Sequence, residues 1–271
     1  MALLPYQFLD AVASIGVRNP NDSISWIGTG FFVGRCIDNP NNVVPFLVTN
    51  RHVVEQFKQV VVRMKKRNGG DLQVMNVTLE DNGVRLYKTH PLPNIDIAVL
   101  LLDANSIKEN DLDFQCINID TQAMPSKELR ENGVDEGALI YMLGFPMGLV
   151  NVNSNLPLCR LGCIARMSET QIKEEHNILV DVQNFPGNSG SPLVLRPETA
   201  TIIGTKSLNK SVLVGIIHSY IPYQEILVNN QTGQVVEIRS ENSGIANAHP
   251  VEYIREVVDL ILPPQQIIQQ H

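Results

Sequence analysis

Phe185-Pro186-Gly187-Asn188-Ser189-Gly190-Ser191-Pro192-Leu193 is a tight turn in which two glycines bracket one serine, with apolar runs on either side at 178–182 and 192–195. Glycine reaches backbone angles closed to other residues, so such a turn can lift a single hydroxyl clear of the chain. A nucleophilic serine needs that setting: a free oxygen, and N–H groups converging where negative charge develops. Gly, Asn and Ser also dominate ordinary β-turns, so the stretch alone carries both readings. Short apolar runs bounded by turn formers read as strands, and the same pattern fills the chain on both sides.

Around the turn, strands are expected at 138–143, 158–167, 178–182, 192–195, 200–204 and 212–220, with Gly144-Phe145-Pro146-Met147-Gly148 as a turn. Asn229 to Gly233 separates a further pair, 226–228 and 235–238, as a hairpin signal. Pro250 opens a stretch with Val251, Ile254, Val257, Val258 and Ile261 on one face, a helix over 250–262 stopped by Pro263-Pro264.

Towards the N-terminus, residues 1–15 read as a short amphipathic helix or arm, and strands are expected at 26–34, 43–50, 58–64, 74–79, 84–87 and 97–102. Asn68-Gly69-Gly70, after the basic cluster Arg63, Lys65, Lys66 and Arg67, marks a solvated hairpin end between the third and fourth of these. The polar stretch 104–136 reads as a surface connector. The expected fold is all-β: two sets of about six short strands, each a β-barrel or sandwich, with a boundary near 120–135 and the helix at the C-terminal end.

A net charge of -7 argues against a nucleic-acid surface. No apolar run reaches the ~18 residues of a membrane span, and the N-terminus lacks the basic start of a signal peptide. Cys36, Cys116, Cys159 and Cys163 are too few for a disulfide framework in 271 residues, and Cys159 and Cys163 lack the second pair of ligands a zinc site needs. These features lead to the expectation of a cytoplasmic protein with no metal and no cofactor.

Two residues stand where a serine nucleophile would need partners. His52 directly follows the apolar run 43–50, and Asp96 opens the run 97–102. Imidazole is suited to take a proton from serine near neutral pH, and a carboxylate behind it fixes the tautomer. Singly, His52 has an alternative as a surface capping residue and Asp96 as a turn residue. Together with Ser189, in this order and each at the edge of an apolar strand, they read as one site.

The motifs resemble the chymotrypsin-fold serine proteases of the bacterial type, in pattern nearest the HtrA-type proteases and the glutamyl endopeptidases. Gly28-Thr29-Gly30-Phe31 resembles the family's G-S/T-G-F strand, Leu47 to Val54 its histidine segment, and Asp96-Ile97-Ala98-Val99-Leu100 its acid segment. Gly144 to Leu149 resembles the HtrA glycine turn, Pro186 to Pro192 the serine motif, and Ser243 to Pro250 the approach to the last helix.

The resemblance implies two packed six-stranded antiparallel β-barrels, residues 1–120 and 121–271, with a C-terminal α-helix, and a serine endopeptidase with His52, Asp96 and Ser189 as triad. It implies an oxyanion hole on the backbone of Gly187, Asn188 and Ser189, with the N–H groups of Gly187 and Ser189 as donors. The S1 pocket would be lined by Gln183, Asn184, His218, Ser219 and Tyr220. Gln183 stands where a trypsin-like aspartate would be, which disfavours Lys or Arg at P1. His218 is one residue out of phase with the glutamyl pattern, which turns it to the other face unless a bulge restores the phase. Asn188 replaces the aspartate of a zymogen switch. The partners expected are a protein or peptide substrate and a possible regulatory partner protein acting on the loops 205–210 and 221–233. A catalytically silent or partner-gated peptide-binding module is the alternative.

Overall fold

The computed structural model describes residues 4–37, 42–67, 72–151, 153–198 and 206–264. In the first half, helix α1 (Tyr6–Asp10) leads into strands β1 (Val12–Arg18), β2 (Ile24–Cys36) and β3 (Val43–Thr49), followed by one helical turn, α2 (Arg51–Val54). Strands β4 (Gln59–Lys66), β5 (Leu72–Thr78), β6 (Glu80–Asp81), β7 (Val84–Arg85), β8 (Tyr87–Thr89) and β9 (Ala98–Leu101) follow. The connecting stretch holds α3 (Ala104–Glu109), β10 (Leu112–Asp113), β11 (Ile117–Asn118) and α4 (Ser126–Glu131). The second half holds β12 (Leu139–Gly144), β13 (Leu158–Arg166), α5 (Glu169–Glu175), β14 (Ile178–Asp181), β15 (Pro192–Leu195), β16 (Leu213–Val228), β17 (Val235–Pro250) and α6 (Val251–Ile261).

The second half closes into a six-stranded barrel in the order β12-β13-β14-β17-β16-β15, antiparallel throughout. The first half is a nine-stranded sheet in the order β10-β4-β1-β2-β3-β9-β8, with β5 added on β4 and β11 on β2. The all-β expectation stands, although the first half carries more strands than six. One apolar core joins the halves: Phe31, Phe46, Val48 and Val99 from the first sheet pack with Leu143, Phe145, Val194 and Ile216 from the barrel, and Val251, Ile254, Val257 and Val258 of α6 close it. The α6 stripe follows the expected helical spacing, with Pro250 as its N-cap residue. No described helix is long and apolar enough to cross a membrane.

Three expectations change. The helix over 1–15 is only five residues long, because Val12 to Gly16 are buried without a break and pair along β2. An amphipathic helix buries one stripe; a central strand buries both faces. The stretch 104–136 is no surface connector, since β11 pairs in parallel with β2 and Ile117 and Ile119 are fully buried. Its Asp120 forms a two-point bond with Arg35 of β2, whose guanidinium also holds Asp259 of α6. The loop expected at 221–233 is strand up to Val228 and turn only beyond it. The strand at 200–204, the hairpin end at 68–70 and Thr205 lie outside the described residues.

Candidate active site

Asn50 directly follows β3 in an extended conformation and is the N-cap residue of α2, the turn that carries His52. Its fully buried side chain donates to the Asp96 carbonyl at 2.8 Å, joining the two loops. Asp96 is fixed from both sides by Ile95 and Ile97, each with no exposure. The carboxylate holds His52 at two points: Oδ1 accepts the His52 backbone N–H at 3.0 Å, and Oδ2 accepts from Nδ1. A carboxylate only accepts, so Nδ1 carries a proton, and in the neutral ring Nε2 is the nitrogen with the lone pair. Burial pushes the Asp96 carboxyl upward, but the hydrogen bonds and charge of His52 outweigh it and hold the group below its ordinary value.

Behind Asp96 lies a cluster of histidines. The Asp96 backbone N–H donates to Nε2 of His249 at 2.9 Å, and His249 Nδ1 faces the His176 carbonyl at 2.8 Å. Those two contacts fix His249 as a neutral ring with its proton on Nδ1. His218 stacks on it, with centroids 4.1 Å apart and planes 11° from parallel. Burial drives His249 down to about 4 and His218 down to about 3. His176 Nδ1 in turn meets the Tyr253 hydroxyl at 2.9 Å.

In the serine loop the two peptides that end on Gly187 and Ser189 are fixed on the carbonyl side alone. The Met147 N–H donates to the Pro186 carbonyl at 2.5 Å, and the Ser191 N–H to the Asn188 carbonyl at 2.9 Å. In a trans peptide the carbonyl and the following N–H point in opposite directions. The N–H groups of Gly187 and Ser189 are therefore turned the other way, and neither donates a hydrogen bond among the described residues. Gly187 has φ +95°, a conformation open to glycine. Its carbonyl accepts the Thr29 hydroxyl at 2.7 Å, and the Thr29 N–H donates to the Ser189 carbonyl at 2.9 Å. Ser189 Oγ makes no hydrogen bond with a described residue, His52 included.

Not every expected site residue takes its expected place. The Asn188 N–H is already bonded to the Phe185 carbonyl at 3.0 Å, so of the three expected oxyanion residues only Gly187 and Ser189 have backbone N–H groups without a partner among the described residues; Asn188 itself is buried. His218 does not enter the S1 wall. A bulge between Ile217 and Ser219 shifts β16, and His218 Nε2 meets Asn177 Oδ1 at 2.9 Å on the Asp96 side. Ser219 Oγ accepts from Asn247 at 3.1 Å, Tyr220 is exposed, and Gln183 is exposed at the loop entrance. Asn184 is buried, with its carbonyl accepting from Asn242 at 2.5 Å. Sequence reasoning missed Thr29 and His249 as site residues, although both stand inside stretches it had singled out.

The family model for the trypsin-like peptidase domain matches residues 28–204, well over half of the 271-residue chain. No curated protein matches the sequence. The matched span opens beside Thr29, takes in the His52 and Asp96 loops and runs past the serine turn, so the chain belongs to the trypsin-like peptidase family.

Proposed function

We propose that this chain is a serine endopeptidase working through His52, Asp96 and Ser189. The observation that carries the reading is the two-point hold of Asp96 on His52, which leaves Nε2 as a base facing outward. Ser189 Oγ attacks the scissile carbonyl carbon while His52 Nε2 takes its proton. The oxyanion collects between the N–H groups of Gly187 and Ser189. His52 then returns the proton to the leaving amine, and water repeats the sequence on the acyl-enzyme. The exposed Gln183 and the turned-away His218 support a P1 residue that is uncharged and small or medium in size. The four cysteines are thiols, which supports action in a reducing compartment such as the cytoplasm.

A partner-gated form of the same reading is favoured by one observation, the missing hydrogen bond between Ser189 and His52. Such bonds often tighten only once substrate is bound. The test is labelling with a fluorophosphonate, which reacts with activated serines. The wild type should be labelled at Ser189 and Ser189→Ala should not; an unlabelled wild type overturns the endopeptidase reading, and labelling that appears only with a partner supports gating.

A further inference from the structure

Thr29 is fully buried and joins three parts of the site. Its hydroxyl accepts the Phe145 N–H at 3.0 Å and donates to the Gly187 carbonyl at 2.7 Å. Its backbone N–H donates to the Ser189 carbonyl at 2.9 Å, and its carbonyl accepts the Thr49 hydroxyl at 2.8 Å, three residues before His52. The partners Phe145 and Gly187 lie 116 and 158 positions away in the chain.

Gly187 is where this matters. With φ at +95° and no side chain, the peptides on either side of it can rotate at little cost unless something holds them. The Pro186–Gly187 peptide is held by Met147, and the Gly187–Asn188 peptide by the Thr29 hydroxyl on its carbonyl and the Phe185 carbonyl on its N–H. Phe145, which donates to that hydroxyl, lies in the same turn as Met147. Thr29 thus connects the turn that holds one peptide to the peptide on the other side of the glycine.

We infer that the Thr29 hydroxyl is a positioning residue for the oxyanion hole: it fixes the Gly187 carbonyl directly and, through Phe145, the turn whose Met147 N–H fixes the Pro186–Gly187 peptide, so that the Gly187 N–H stays aimed at the developing anion. The inference rests on the endopeptidase reading. It assigns Thr29 no contact with substrate, and the effect passes through Gly187.

The probe is a fluorophosphonate, so no substrate needs to be known. Ser189 Oγ attacks phosphorus, the P–F bond breaks, fluoride leaves and the serine proton passes to His52. The phosphoryl oxygen occupies the oxyanion hole, so the second-order labelling rate reads the hole directly. Losing one hole donor lowers rate by roughly 10²–10³, and an unfastened donor should lose less, about 10- to 100-fold. Thr29→Val should therefore label about 10- to 100-fold more slowly, with its pH midpoint unmoved. Thr29→Ser should restore the rate, and Thr29→Cys, a weak donor, should fall between. If Thr29→Val does not fold, the Ser and Cys variants still order the series.

Equal rates for all variants, or a shifted pH midpoint in place of a slower rate, overturn the inference while the endopeptidase reading stands. A wild type that does not label at all overturns both, and the two failures are told apart by that control.

Discussion

The backbone N–H of the catalytic candidate Asp96 donates to the side chain of His249, 153 residues further along the chain, at 2.9 Å. The acceptor is a ring held neutral. His249 has no exposure, faces Asp96, His176, His90 and the stacked His218, and is pushed down to about 4 by burial. Protonating it would remove the acceptor and place a cation in the core.

Stability should therefore fall in mild acid. Unfolded histidine takes up its proton near 6.5, whereas folded His249 does so only near 4. Above the unfolded value the contribution is complete; as pH falls from there towards 4 the unfolded chain binds the proton first and stability is lost. For His249 alone the loss is on the order of 3 kcal/mol, and His218, pushed down to about 3, adds to it. Urea unfolding between pH 7 and pH 4 measures this. His249→Gln should flatten the slope, and a wild type equally stable across that range would contradict the buried neutral pair.

Asp96→Asn keeps an oxygen for the His52 backbone N–H but turns an amide towards Nδ1. The ring must then accept there and carry its proton on Nε2, where a base is needed. Fluorophosphonate labelling should slow by about 10⁴, with the melting temperature little changed. A rate within tenfold of wild type would remove Asp96 from the triad.

The parts of the site that were legible in the sequence are those written locally. Ser189 stands between glycines, His52 follows the β3 run and Asp96 precedes β9, so each could be read within about ten residues. Thr29 and His249 act across more than 100 positions, and no local pattern announces a hydroxyl aimed at Gly187 or a ring beneath Asp96. Strand β1 lies in a stretch read as a short amphipathic helix or an arm; what makes it a strand is pairing with β2 on one side and β4 on the other. The bulge at His218 is a one-residue irregularity that leaves no mark in composition, and even with it the ring lies against His249 and Asn177.

Two glycines with similar backbone angles should respond very differently to alanine. Gly190 has φ +88°, and an added Cβ would sit 2.0 Å from the Thr29 carbonyl and 2.6 Å from the Thr49 hydroxyl. Backbone must move, so Gly190→Ala should lose several kcal/mol and all labelling. Gly83 has φ +79° with nothing within 4 Å of the added atom. Gly83→Ala should cost only the left-handed conformation, about 1–2 kcal/mol. Thermal melts of the two variants measure the difference; equal losses would mean that contact beside Thr29 is not what requires glycine at 190.

The outer parts of β16 and β17 form a two-stranded ribbon in which every residue from Tyr220 to Glu241 is exposed. One face carries Ile226 opposite Ile238, each 58% exposed, and Tyr223 pairs with Glu241 nearer the barrel. An isolated ribbon adds little stability, and apolar residues in the open favour association. Replacing residues 224–240 with Asn-Gly would join Tyr223 to Glu241 by a tight hairpin turn. Surface changes usually stay within about 0.5 kcal/mol, so the melting temperature should move by about 2 °C or less. The labelling rate should not change, and the shortened chain should associate less at high concentration in sedimentation. The ribbon begins beside Ser219 and Tyr220, next to the serine loop, so the opposite result is informative. If labelling collapses while the melt is unchanged, the ribbon orders the substrate edge, and the partner-gated reading gains its switch.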